Sequence, residues 1–147
     1  ERDFDAIAAL MARRRHCVAG RRTLHLARSG AQSPLESRVR VIATDAGLPP
    51  DSLQVAVRDD AGQVLGYADM GYRLPGGGLL AVEADGLSVH SEPAALLHDR
   101  RRQNAFIAVP GVKIVRFTWA DTKVPQYIPS VLRPLLSQAG WRPARRP

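Results

Sequence analysis

Three acids stand where they could do chemistry together. Glu83 and Asp85 close the stretch LLAVEADG, residues 79–86. Alternate residues of a strand share a face, so these two carboxylates point the same way, and like charges so placed need a counter-charge. Asp69 lies in the middle of VLGYADMGY, an otherwise apolar segment over residues 64–72. If the two segments are neighbouring strands, Asp69 approaches Glu83 across the sheet. Converging carboxylates suit a hard divalent cation, Mg2+ or Mn2+. Such an ion binds a phosphate oxygen, acidifies a water and stabilises a leaving oxygen. The competing reading is structural, with Asp69 and Glu83 each paired to an arginine. Spacing alone leaves both open.

Other residues carry the same two-sided reading. Glu36 stands three after Ser33, as in a helix capping box, which needs no further function. Asp85-Gly86 is also a strong turn dipeptide. His90, with an ordinary pKa of about 6.5, has the chemistry of a general base, or it is a polar loop residue. Cys17 is the only cysteine, so an intramolecular disulfide and a cysteine-based zinc site are both excluded, and the thiol reads as inert.

These residues must be held by elements that the pattern supplies. Phe4, Ile7, Ala8 and Met11 form one helical stripe ahead of Arg13-Arg14-Arg15. SPLESRVRVIATDAG predicts a helix capped by Ser33, started by Pro34 and stopped at Gly47, with Leu35, Val39, Ile42 and Ala46 as its apolar stripe. LQVAVRD predicts a strand with Leu53, Val55 and Val57 on one face. DDAGQ is a turn, residues 64–72 the return strand and LLAVEAD the third strand. A helix is expected over about residues 92–107, a strand over 112–119, and a last helix interrupted by Pro129 and Pro134. The expected division is an N-terminal helical extension over 1–32, one domain over 33–140 and a loose basic tail over 141–147.

The whole chain has 147 residues, enough for one core. No apolar run approaches the roughly 20 residues needed to span a bilayer, and no signal-peptide pattern is seen; a cytoplasmic location and no membrane partner are expected. The chain opens on Glu1 rather than Met, which suggests a piece of a longer protein and a missing N-terminal domain. The formal charge is +7, and all cations but Lys113 and Lys123 are arginines. Arginine pairs with phosphate through two parallel hydrogen bonds and stacks on bases, so nucleic acid is a natural partner. Solvated basic faces explain the same charge.

In order along the chain, SPLESRVR, YADMGY, AVEADG with His90, DRRRQN and VKIVRFTW resemble the Vsr-like (very-short-patch-repair-like) endonuclease domains of the PD-(D/E)xK superfamily. The likeness covers about residues 33–136. It is nearest to domains forming the C-terminal half of larger bacterial proteins, some with an N-terminal winged helix of the AbiEi type IV toxin–antitoxin kind. The resemblance implies an α+β restriction-endonuclease-like αβββαβ core, with a mixed sheet flanked by helices and an extra N-terminal helix. It implies metal-dependent cleavage of DNA, with Asp69 and Glu83 holding Mg2+ or Mn2+ beside a backbone carbonyl near Ala84. Asp85, Glu36 or His90 would orient or deprotonate water. Asp99 and Arg102 would pair or orient the site. Arg38, Arg100, Arg101, Arg102 and Arg116 would hold the phosphate backbone. Three departures stand out. Ala68 replaces the signature Pro, FIAVPGVKI replaces the usual approach to the fourth strand, and Asp85 stands where most of the superfamily has Lys. The alternative is a nuclease-fold module that binds DNA or a partner protein without cutting, in a transcriptional regulator or type IV antitoxin.

Overall fold

The computed structural model describes residues 33–85 and 93–143, with side chains only in part over the start of the second helix. The expected helix before residue 33, Gly86 and His90 all lie outside the described residues. The order is α1 (Pro34–Asp45), β1 (Ser52–Arg58), β2 (Val64–Arg73), β3 (Leu79–Ala84), α2 (Pro93–Ala108), β4 (Val112–Phe117) and α3 (Tyr127–Gln138). One four-stranded sheet runs β1-β2-β3-β4. The first three strands form an antiparallel meander, and β4 lies parallel to β3. A parallel neighbour requires a crossover, which α2 provides. This is the α+β order αβββαβ with a mixed sheet flanked by helices.

Local chemistry sets the boundaries. The Ser33 hydroxyl accepts the Glu36 backbone N–H at 3.1 Å, the N-cap half of the expected box. The β1–β2 turn closes through Asp59, whose N–H donates to the Gln63 carbonyl and whose carboxylate accepts the Gln63 N–H at 2.8 Å. Gly62, at φ 81°, supplies the left-handed residue there.

Two apolar layers cover the sheet. α1 and α3 pack Leu35, Val39, Ile128 and Leu132 against Met70, Tyr72, Leu80 and Val82. Across the sheet, Phe106 of α2 packs on Val57, Ala68 and Ala81. A Cβ on Gly66 would sit 3.0 Å from the Phe106 ring, so this glycine lets α2 approach β2 closely.

Four sequence expectations change. The α1 stripe is rotated: Leu35, Val39 and Ala43 are buried, together with Glu36 and Arg40. Leu53 and Val57 do not share a face, because Leu53 packs with the α1/α3 layer and Val57 with the α2 layer. Gln54 between them has φ 49°, and a left-handed residue inside a strand breaks the two-residue alternation. The last helix is continuous through both prolines. Pro129 sits in the first turn, where its missing N–H costs nothing, and the buried stripe Ile128, Leu132 and Leu136 carries the helix past Pro134. The core also runs one residue past 140. Trp141 is buried, meets Tyr72 edge-on at 5.3 Å and donates its indole N–H to Asp51 at 3.0 Å.

Candidate functional site

β2 and β3 pair from Arg73↔Leu79 to Met70↔Val82 and then part. Asp69 stands at the parting. Its carboxylate accepts the Ala84 backbone N–H at 2.7 Å, a side chain serving where the regular ladder ends. Gln54 stands opposite it on β1, between the pairs Leu53↔Met70 and Val55↔Ala68, and its amide favours the charged carboxylate. Burial pushes the Asp69 carboxyl above the usual range. The Ala84 hydrogen bond works against this, and the charges of Glu36 and Glu83 add to it.

Glu83 is buried at 6% exposure on the α2 side, where alternation from Leu79 and Ala81 places it. Both of its oxygens are held. Arg102 of α2 donates to Oε1 at 2.7 Å, and Arg116 of β4 donates to Oε2. Register explains the second contact, since Glu83 pairs with Arg116 across the parallel strands. The first depends on the close seat of α2, where Arg102 also lies over the Phe106 ring at 5.3 Å.

Asp99 ties the two arginines together. It accepts Arg102 at 2.9 Å and Gln103 at 2.6 Å and lies 3.5 Å from Arg116. Its own burial acts upward, yet the hydrogen bond from Arg102 and the charge of Arg116 outweigh it and hold the carboxyl below the ordinary value. Arg102 follows the same balance with opposite sign: burial disfavours its charge, and Asp99 and Glu83 more than restore it. Asp85, more exposed, lies 3.5 Å from Arg116, so Glu83 and Asp85 do reach one partner.

Glu36 enters from the other side of the sheet. Its Oε2 accepts the Gln54 amide at 3.3 Å, and Arg40, one turn along α1, is buried beside it. Burial lowers the Arg40 pKa, with the Glu36 charge opposing. The contacts thus form two groups, Glu83, Asp85 and Asp99 around Arg102 and Arg116 on the α2 side and Glu36 with Gln54 and Arg40 on the α1 side, and Asp69 feels the charge of both Glu36 and Glu83. Arg100 and Arg101 are exposed on α2, and exposed Arg38 reaches the Thr122 carbonyl at 3.4 Å. His90 lies outside the described residues.

A hard divalent cation takes carboxylate oxygens, the kind of donor that these side chains carry. Among the described residues, no three Asp, Glu, His or Cys side chains are grouped to hold a metal ion. Glu83 would have to give up an arginine to become a ligand. Sequence reasoning missed Arg40 and Gln54. The Glu36–Arg40 spacing of four residues was a usable signal; the left-handed turn at Gln54 has none.

No family model matches the chain, and no solved structure matches it. It is 32% identical over 93 residues to the uncharacterized protein MT2308 of Mycobacterium tuberculosis strain CDC 1551. The same figures hold for the uncharacterized protein Rv2248 of strain H37Rv. The alignments cover 60% of this chain and 31% of those proteins, so the chain matches about a third of the length of these relatives.

Proposed function

We propose that this domain is a metal-dependent endonuclease acting on the phosphodiester bonds of DNA in the cytoplasm. The observation that carries the reading is local charge. In a chain of formal charge +7, the two groups of described residues on either side of Asp69, counted with it, set five carboxylates against three guanidiniums. That excess favours a cation, and the charges of Glu36 and Glu83 raise Asp69 on top of its burial. The order αβββαβ, with Asp69 and Glu83 on adjacent strands, supports the Vsr-like resemblance. Asp69 and Glu83 would hold Mg2+ or Mn2+, with Glu36 nearby. Such an ion supplies an acidified water and charge stabilisation at the phosphate.

The protein's own groups do the rest. Glu83 and Asp99 fix the guanidiniums of Arg102 and Arg116 at the site, each partly exposed. A guanidinium held this way meets a phosphate oxygen at little further ordering cost. Exposed Arg100, Arg101 and Arg38 would hold the backbone in a salt-sensitive, sequence-blind way. Asp85, Glu36 or His90 would take the proton from water.

One observation favours a second reading. Both Glu83 oxygens are already neutralised by arginines, and Asp85 is an acid where the superfamily keeps Lys. A nuclease-fold module that binds DNA or a partner protein without cutting, within a regulator or type IV antitoxin, has no need of a free Glu83. Incubation of supercoiled plasmid with Mg2+ or Mn2+ separates the two. The nuclease nicks it, and Asp69→Ala lowers the rate at least about 100-fold, the scale of losing a metal-assisted step. Equal cleavage by Asp69→Ala removes Asp69 from the chemistry. No cleavage, with salt-dependent DNA retention intact, selects the binding module.

A further inference from the structure

Gln54 is unused by the reading above, yet it is the described residue whose backbone is least ordinary. Among the described residues it alone, glycines aside, has positive φ, at 49°. It does so inside β1, where L-residues are extended and the left-handed region crowds Cβ against the carbonyl. The consequence spreads to the neighbouring strand. Leu53 and Met70, which pair, face α1 and α3; Val57 and Ala68 face α2. The β1–β2 ribbon therefore changes faces between the pairs Leu53↔Met70 and Val55↔Ala68, at Gln54 and Asp69. This change takes Gln54 and Asp69 out of the regular pleat.

The side chain then does something the backbone does not require. Its Nε2 lies 3.3 Å from Glu36 Oε2, and the register sets it opposite Asp69, whose charged form its amide favours. A primary amide carries two N–H donors, so one nitrogen can serve two carboxylates. Were the left-handed turn needed only for the chain path, glycine would adopt it without strain.

We propose that Gln54 is a positioning residue of this site: its carboxamide bridges Glu36 and Asp69 and fixes the two carboxylates side by side. The bridge is independent of any ion; its effect on cation binding rests on the nuclease reading.

The test compares the parent with Gln54→Gly and Gln54→Ala, each also in an Asp69→Asn background, by thermal and urea unfolding and by Mn2+ binding followed by electron paramagnetic resonance. Both variants lose the amide and differ in backbone strain, so Gln54→Gly should melt higher than Gln54→Ala by roughly 4 °C. If the parent binds Mn2+, Gln54→Gly should bind it at least about 10-fold more weakly, the scale of losing a group that orients a ligand. Parent-like affinity in that folded variant overturns the proposal and leaves the nuclease reading standing. If the parent binds no Mn2+, the nuclease reading fails and the urea data decide. An effect of Gln54→Gly that differs between the parent and the Asp69→Asn background upholds the bridge, and an additive effect overturns it.

Discussion

Replacing Glu83 by glutamine should destabilise the protein, by an amount that the network sets. Glu83 has 6% exposure and accepts from two guanidiniums. Hydrogen bonds to charged groups contribute about 1.5–3 kcal/mol each, and stripping one partner from a buried pair costs about 3–5 kcal/mol. Two features lower that figure. Arg102 and Arg116 keep 29% and 27% side-chain exposure, so water can partly resolvate them. Asp99 reaches both arginines and Asp85 reaches Arg116. Glutamine keeps one acceptor but turns an NH2 toward the other guanidinium. A net loss of about 2 kcal/mol is expected. With a urea slope of about 1–3 kcal/mol per M, the midpoint falls by about 1 M. Urea unfolding followed by the fluorescence of buried Trp141 reads it. An unchanged or raised midpoint would refute the reasoning, because it would mean that Glu83 is a net burden on the fold and not the anchor of two arginines.

Asp69→Asn should act in the opposite direction. Burial first, then Glu36 and Glu83, raise the Asp69 carboxyl above its ordinary value, so the fold penalises its ionised form. Below the unfolded carboxyl pKa of about 3.9 both states are protonated and the penalty is absent; it grows as pH rises through the unfolded pKa and is complete above the folded one. The substituted amide keeps an acceptor for the Ala84 N–H, so the variant should be more stable than the parent at pH 7, with the gain vanishing near pH 3 in urea titrations across pH. Trp141→Ala should cost about 3–5 kcal/mol in the same assay, a large-to-small change in a buried ring that also strips Asp51 of a donor; a loss under about 1 kcal/mol would place Trp141 outside the core.

Periodicity and punctuation made most of the fold legible. Ser33 with Pro34 marks the start of α1, and the Asp59–Gln63 turn marks the meander. What the pattern could not show is side-chain direction where the backbone leaves its regular form. Leu53, Gln54 and Val55 read as plain alternation, and the left-handed Gln54 reverses it. The α1 stripe misleads for a related reason. An apolar count passes over Glu36 and Arg40, yet a polar pair four residues apart can be buried when each partner lowers the cost of the other. The prolines of α3 misled by the opposite error, since a local rule weighs less than the buried stripe it interrupts.

The same separation of local and tertiary information explains the arginines. By composition they form a single class, and net charge points all of them toward a polyanion. The register of β3 against β4 commits Arg116 to Glu83, and the approach of α2 over Gly66 commits Arg102 to the same carboxylate. Those two are therefore part of an acidic network and are not free cationic surface. Among the described residues, exposed arginines such as Arg100 and Arg101 carry solvent-facing charge. The two classes predict different salt behaviour. Neutralising Arg100 and Arg101 should flatten the salt dependence of DNA binding by about one phosphate contact each. Neutralising Arg102 or Arg116 should first be felt in stability, because it leaves Glu83 short of a counter-charge. Equal salt slopes for the two pairs, with unfolding midpoints untouched, would dissolve the distinction.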